Sequence, residues 1–154
     1  MRCRAKRGYP TWRTACALAL ARCTTRPVVG HADWWSENLR WRGHELHAVF
    51  DWDSITAQPE LIIVGAAAYM FGASTFEIEG SAPGASLEET ERFLVAYERA
   101  RRCVWPPEER EVAWAAGLWV AAYHAQMSVT ESVTGAFAAL VRQEADQRLR
   151  RARA

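Results

Sequence analysis

Lysine is almost absent from this chain, because Lys6 is the only lysine and arginine supplies all the other basic residues apart from histidine. Lys6 lies in a cluster of basic residues rather than on an apolar strand, so we expect no buried, charge-pairing lysine. The formal net charge of +1 argues against a general binder of nucleic acid or membrane surfaces. The composition, rich in arginine and alanine, is typical of a bacterial protein with a GC-rich coding sequence.

Long apolar runs and metal-binding cysteine spacings are also missing. No stretch of about eighteen consecutive apolar residues occurs, so we expect no transmembrane helix. The four cysteines form no C-x-x-C pair and no zinc-finger spacing, which favours small core residues in a reducing compartment. The apolar run 15–21 is bracketed by Arg13 and Arg22 and barely reaches signal-peptide length, so we expect a cytoplasmic protein.

The chain does contain a polar motif between His31 and Asp53. It reads H-x-D-x-x-x-x-N over His31, Asp33 and Asn38, and Asp51 follows a short apolar run further along. Asp33 is a candidate general base, while Asn38 and Asp51 offer the neutral and charged oxygen ligands that Mg²⁺ prefers. Phosphoryl transfer needs such a set, because its catalysis is mostly positioning and neutralisation of phosphate charge.

Each residue of this motif also has a structural interpretation. Asp33 can cap the next helical turn, Asn38 can be a turn residue, and Asp51 can end a strand. Asp53 is a further metal ligand, or a residue that holds a metal ligand in place, or the N-cap of a turn at residues 54–56. For a single Asp or Asn the structural interpretation is favoured, but the ordered set with a hairpin between its halves favours a phosphotransferase site.

The aromatic residues and histidines around the motif have less specific roles. His31 is interpreted as a hydrogen-bonding residue that braces the loop rather than as a proton carrier. Trp34 and Trp35 either wall the site or pack in the core. The remaining histidines have no motif context: His44, His47 and His124.

The predicted fold is α+β and mainly α, with a β-hairpin that carries the site and a helical bundle behind it. We expect one domain over 1–154, with the catalytic and metal loops at 28–53 and a helical subdomain at 59–154. Apolar periodicity, turns and capping signals predict the following elements: helices at 11–23, 59–71, 86–102, 107–126 and from 130 to the tail, a hairpin at 39–50 and a loop at 72–84. The basic tail 148–153 is predicted to be a solvated helix end.

At the motif the chain resembles the aminoglycoside phosphotransferase family, the small-molecule kinases of the protein-kinase-like fold. The family pattern is roughly H-G-D-x-x-x-x-N, a hairpin, and then I-D-W or I-D-F; Ala32 stands here for the usual Gly, and Asp51-Trp52 match the second half. The resemblance implies the C-terminal lobe of that fold, with Asp33 as catalytic base. It also implies Mg²⁺ held by Asn38 and Asp51, ATP as co-substrate, and a small-molecule acceptor with a hydroxyl group.

The chain departs from this family before the motif. Family members carry an N-terminal lobe that covers ATP with a lysine, whereas only thirty residues precede His31 and they hold no glycine-rich loop. We therefore expect a C-terminal lobe without its ATP-binding lobe, weak or inactive as an isolated chain, that self-associates through the face left exposed. The alternative is a non-catalytic nucleotide-binding, metal-binding or partner domain derived from such a kinase.

Overall fold

The computed structural model describes residues 9–72, 84–130 and 136–152, and these confirm an α+β class that is mainly helical. The helices in these ranges are α1 (Tyr9–Ala21), α2 (Glu60–Met70), α3 (Leu87–Arg101), α4 (Pro107–Thr130) and α5 (Ala136–Ala152). The strands are β1 (Pro27–His31), β2 (Leu39–Arg42), β3 (Glu45–Val49) and β4 (Ile55–Pro59). Two short 3-10 turns lie at Ser36–Asn38 and Trp52–Ser54.

Helix α4 forms the centre of the molecule, as its apolar character on most faces predicts. Residues 112–118 are all buried, and α1, α2 and α5 pack against this helix. The contact with α2 is unusually close, because a Cβ placed on Gly65 would lie 2.0 Å from the carbonyl oxygen of Ala113. Gly117 faces the Gly65 carbonyl oxygen in turn, with its own ideal Cβ at 2.9 Å. Two glycines therefore allow the backbones of α2 and α4 to touch.

Helix α3 begins and ends where local signals predict. The Ser86 hydroxyl accepts a hydrogen bond from the Glu89 backbone N–H, and the Glu89 carboxylate accepts one from the Ser86 N–H. This reciprocal pair is a capping box, which satisfies backbone donors that the first helical turn would otherwise leave unpaired. The helix ends at Arg102, which adopts the left-handed region at φ 53°.

The strands form two antiparallel pairs. Strands β2 and β3 make the predicted hairpin around Gly43, whose positive φ of 61° is readily adopted by glycine. Strand β4 was not predicted, and the expected turn at 54–56 is wrong because Ile55 already pairs with His31. The β1–β4 pair closes both halves of the motif into one loop, since β1 ends at His31 and β4 starts just after Asp53.

The prediction for the last helix needs two corrections. Helix α4 runs on to Thr130 and α5 starts at Ala136, so 131–135 separate them and lie outside the described residues. Most of the predicted loop 72–84 also lies outside them. The second correction concerns the basic tail, in which Arg150 and Arg151 are exposed but Arg148 is fully buried.

Arg148 can be buried because its guanidinium contacts polar and aromatic groups. It pairs with Glu144 at 2.7 Å, donates to the Ala85 carbonyl oxygen at 2.5 Å and lies 5.4 Å from the centre of the Tyr69 ring. A buried charge is tolerated only when it is paired and hydrogen-bonded in this way. Arg148 therefore fastens α5 to the segment that precedes α3.

The described cysteines behave as core residues. Cys16 is buried, Cys23 and Cys103 are half-buried, and none of these three forms a disulfide. Burial raises the pKa of the Cys16 thiol to about 12, so it stays neutral and is unsuited to metal binding or nucleophilic attack at neutral pH. Within the described ranges, no helix has the length and apolar character needed to cross a membrane.

Candidate active site

His31 lies at the end of β1 and is buried beneath the motif loop. Its Nε2 donates a hydrogen bond to the carbonyl oxygen of Phe50 at 2.9 Å, since a carbonyl can only accept. The imidazole also meets Trp34 and Trp52 edge to face, with ring centres 6.0 and 5.8 Å away. His31 thus connects the first half of the motif to the residue that precedes Asp51.

Asn38 is the last residue of the first 3-10 turn, and its side chain is hydrogen-bonded to Asp33, which precedes that turn. The Asn38 side-chain amide donates to the Asp33 carboxylate Oδ2 at 2.9 Å and to the Asp33 carbonyl oxygen at 3.1 Å. The predicted helical turn after Asp33 lies slightly later, because its N-cap position is Trp35. With its NH₂ group committed to Asp33, Asn38 keeps its amide oxygen as the group that can accept or ligate.

The hairpin brings the second half of the motif back to the first. The backbone N–H of Phe50 donates to the carbonyl oxygen of Asn38 at 2.8 Å, next to the Leu39–Val49 pair that begins the ladder. Phe50 is therefore held at its N–H by Asn38 and at its carbonyl by His31. Asp51 follows directly, so the structure brings Asp33, Asn38 and Asp51 onto neighbouring turns.

Asp51 adopts an uncommon backbone conformation at φ 62° and ψ 48°. Aspartate is one of the few residues other than glycine that enter this left-handed region with some frequency. Its carboxylate is exposed and accepts one hydrogen bond from the Ser54 hydroxyl at 3.2 Å. Asp53 lies inside the second 3-10 turn, where it is also exposed, and it does not cap a turn at 54–56.

The motif presents the amide oxygen of Asn38 and the exposed carboxylate of Asp51 on neighbouring turns. Among the described residues, no group of three or more His, Cys, Asp or Glu side chains lies close enough to hold a metal ion. Mg²⁺ commonly takes only one or two carboxylates from the protein and completes its shell with water and substrate phosphates. The amide oxygen of Asn38 and the exposed carboxylate of Asp51 would supply such a partial set.

The two tryptophans beside Asp33 have different roles. Trp34 lines a cavity together with His31, whereas Trp35 packs against a buried cluster that includes Ala121 and Ala125 of α4. Trp35 therefore packs the motif loop against a core cluster built from α2, α4 and α5, which is the core interpretation of this residue. Trp34 fits the alternative interpretation, since it forms the wall of a cavity.

His124 of α4 is a residue near the motif that sequence reasoning missed. Burial lowers the pKa of His124, and the negative charge of Asp33 acts in the opposite direction. The two side chains are thus close enough to interact electrostatically, although they are far apart in sequence. No spacing or motif signals this electrostatic interaction, because it arises only from the tertiary structure.

Comparison with family models, with curated proteins and with solved structures finds no match to this chain. Function is therefore inferred from the geometry of the motif, which joins two sequence segments through side-chain and backbone hydrogen bonds. That geometry involves His31, Asp33, Asn38 and Phe50, and it presents Asp51 on the neighbouring turn.

Proposed function

We propose that this chain is the catalytic lobe of an ATP-dependent small-molecule kinase of the aminoglycoside phosphotransferase type. It would transfer the γ-phosphoryl group of ATP to a hydroxyl of a small acceptor. The observation that supports this best is the hydrogen-bonded chain from Asp33 through Asn38 and Phe50 to His31. Asp33 and Asn38 are joined side chain to side chain, and the hairpin brings Asp51 to the turn beside them.

In this proposal Asp33 acts as the general base. Asn38 occupies its Oδ2, which leaves Oδ1 to accept the proton of the acceptor hydroxyl as that oxygen attacks phosphorus. The same hydrogen bond fixes the direction of the carboxylate, and orientation supplies much of the catalysis of phosphoryl transfer. Mg²⁺ bound by Asn38 and Asp51 would neutralise charge on the transferred phosphoryl group.

The roles of His31 and Trp35 are positional in this proposal. His31 donates to Phe50 and so fixes the turn that presents Asp51, while Trp35 anchors the loop that presents Asp33.

A second candidate is a non-catalytic partner domain with the same architecture. It is favoured by apolar side chains on the β1–β4 pair, where Val29 is 77% exposed and Ile55 is 50% exposed. Exposed apolar patches commonly mark interaction surfaces. Self-association through this face would appear as a concentration-dependent mass in sedimentation equilibrium, and Val29→Ser would reduce it.

Calorimetry with ATP in the presence and absence of Mg²⁺ tests the metal site. We expect Mg²⁺-dependent binding that Asp51→Asn weakens at least about tenfold, because one charged ligand is lost. Asp146→Asn removes an exposed carboxylate from α5 and serves as the matched control. Asp53→Asn tests whether Asp53 is a further metal ligand, because only a ligand role predicts weaker binding. Equal binding by wild type and Asp51→Asn would contradict the proposed metal site.

Asp33→Asn separates the two candidate functions. The catalytic proposal expects this variant to bind Mg²⁺ and ATP as wild type does, and to lose whatever phosphoryl transfer the wild type shows in a screen of hydroxyl acceptors. The partner-domain proposal expects no transfer from either protein. Transfer that persists unchanged in Asp33→Asn would show that Asp33 is not the base.

A further inference from the structure

A groove runs along strand β1 on the side away from β4. Two adjoining cavities form it, one of about 350 Å³ beside Val29 and one of about 280 Å³ beside His31. The two cavities share Ile63 of α2 and Tyr97 of α3. None of the described residues that line either cavity belongs to β4. The groove therefore lies between β1 and α3, with α2 as its floor.

The wall that α3 contributes is as long as a short strand. Phe93, Tyr97 and Arg101 are spaced four apart, so they lie along one face of the helix. Phe93 lines the cavity beside His31, Arg101 lines the one beside Val29, and Tyr97 lines both. The eight-residue separation spans about 12 Å of helix, which an extended chain covers in about four residues.

Strand β1 directs main-chain hydrogen-bonding groups toward this groove. The Ala32 N–H donates to the Ser54 carbonyl oxygen at 2.9 Å, in the register of the β1–β4 pair. Hydrogen-bonded pairs alternate along an antiparallel ladder, so Gly30 bonds to β4 while the N–H and C=O of Val29 point the other way. In the described parts of the chain no other strand pairs with β1. Val29 therefore offers one donor and one acceptor on the side of the groove.

This strand edge lacks the charges that commonly protect an exposed edge from pairing. Strand β1 contains no Lys, Arg, Asp or Glu, and its proline is confined to the first position. Val29 is exposed. The charged residues at that end of the groove neutralise each other, because the Arg101 Nε lies 2.8 Å from the Glu60 carboxylate. An uncharged edge with a free donor and acceptor matches the main chain of another strand.

We propose that this groove binds an extended segment of a partner protein, which adds a third strand to the β1–β4 sheet. The Val29 N–H would donate to the main chain of that segment, and the Val29 C=O would accept from it. A Cβ on Gly30 would lie 2.9 Å from Ile63 Cδ1, so this face of β1 is turned toward α2 and Val29 is on the opposite face. Side chains of the added strand alternate likewise, so every second one would be apolar and would lie over α2 beside Tyr97. The site uses neither the proposed base nor the proposed metal ligands, and its occupancy does not depend on kinase activity.

The test uses the synthetic peptide acetyl-STVTLTS-amide, whose valine and leucine flank a central threonine. The matched control is the same peptide with a methyl group on the central threonine nitrogen, which removes the donor for the Val29 C=O. Calorimetry on the wild-type chain should show the unmethylated peptide binding at least about tenfold more tightly, because one hydrogen bond and a close strand approach are lost in the control. The amide ¹⁵N resonance of Val29 should move when the peptide is added. No binding, equal affinities or an unmoved Val29 resonance would overturn the proposal.

Two proline variants locate the peptide. Val29→Pro removes the N–H that faces the groove and leaves the hydrogen bonds to β4 in place, so peptide affinity should fall at least about tenfold. Ala57→Pro is the matched control, because Ala57 lies opposite Val29 and directs its N–H to the far edge of β4. This control should bind the peptide as wild type does. Equal affinities of the two variants would refute the proposal.

Thermal unfolding verifies that both proline variants fold. If Val29→Pro does not fold, the peptide pair and the Val29 resonance of the wild type decide the question. Sedimentation equilibrium distinguishes a partner protein from a second copy of this chain. A dimer that the peptide dissociates would place a second copy of β1 in the groove and would overturn the assignment to a partner protein.

Discussion

The side-chain amide of Asn38 donates a hydrogen bond to the carboxylate of Asp33 at 2.9 Å. This contact joins Asp33 of the H-x-D-x-x-x-x-N motif to Asn38, the last residue of the following 3-10 turn. It also fixes which oxygen of each side chain remains free, because Oδ2 of Asp33 and the NH₂ group of Asn38 are used. Two side chains that orient each other in this way lose less conformational entropy on binding a ligand.

Replacing Asn38 tests this relationship. Asn38→Ala removes two hydrogen bonds from Asp33 together with the proposed oxygen ligand, so Mg²⁺-dependent ATP affinity should fall at least about tenfold. Gln58→Ala is the control, because it truncates an exposed amide on β4. Calorimetry under one salt and pH condition measures both variants. Unchanged affinity in Asn38→Ala would show that the pair has no part in nucleotide binding.

Tyr97→Phe should remove a pH-dependent hydrogen bond between α3 and α2 and so lower the stability of the fold. The Tyr97 hydroxyl donates to the Glu60 carboxylate at 2.5 Å, and this hydrogen bond lowers the pKa of Glu60. Burial, with Glu60 as a further cause, raises the pKa of Tyr97 to about 12. At neutral pH the variant should lose about 1 kcal/mol of unfolding free energy.

The stabilisation by the Tyr97–Glu60 hydrogen bond is lost at low pH through Glu60 and at high pH through Tyr97. Glu60 has a lowered folded pKa, so its contribution is present above its unfolded pKa and is lost as the pH falls through the folded one. Tyr97 has a raised pKa, so its contribution is lost as the pH rises from about 10 to about 12. Urea unfolding from pH 3 to 11 (about eight conditions) should therefore show the largest difference between wild type and variant near neutral pH. A difference that does not vary with pH would contradict this linkage.

Gly65→Ala should be strongly destabilising although alanine is the better helix former. The added Cβ would overlap the Ala113 carbonyl, which is backbone and cannot rotate away. The gain in helix propensity is about 1 kcal/mol, whereas forcing two packed helices apart costs about 3 kcal/mol. Gly72→Ala is the matched control, because its Cβ would meet no atom within 4 Å. Chemical denaturation measures both, and similar stabilities for the two variants would argue against the close α2–α4 contact.

Arg148→Ala should also destabilise the fold, by about 3 kcal/mol, because it leaves Glu144 without its partner and opens space beside Tyr69. Arg150→Ala changes an exposed arginine on the same helix and should alter the unfolding free energy by less than about 0.5 kcal/mol. Thermal unfolding of the two variants provides the comparison. Equal changes in unfolding free energy for the two variants would indicate that Arg148 is solvated, as its sequence context predicts.

Local signals were sufficient for most helices and for one hairpin. The capping box at Ser86 and Glu89 fixed the start of α3, and Pro107 with the acidic residues after it marked the start of α4. The turn at Gly43 marked the hairpin, because few other residues adopt its positive φ readily. These features depend on contacts between residues a few positions apart, which the sequence contains directly.

Strand β4 and the burial of Arg148 could not be read in the same way. The segment from Ile55 to Pro59 has no strong alternation of its own and becomes a strand only because it pairs with β1. Arg148 looks like part of a basic tail until Glu144, Ala85 and Tyr69 are brought around it. Both outcomes depend on partners distant in the chain.

The sequence by itself determined the helices, the hairpin and the identity of the motif residues, since these follow from periodicity, capping and turn chemistry. Tertiary structure decided how the motif is assembled: the hydrogen bond from His31 to Phe50, the packing of Trp35 against the core and the electrostatic interaction of Asp33 with His124. It also created the cavity behind His31. The physical reason is that burial and long-range hydrogen bonds depend on which distant segments meet, and no local pattern encodes that meeting.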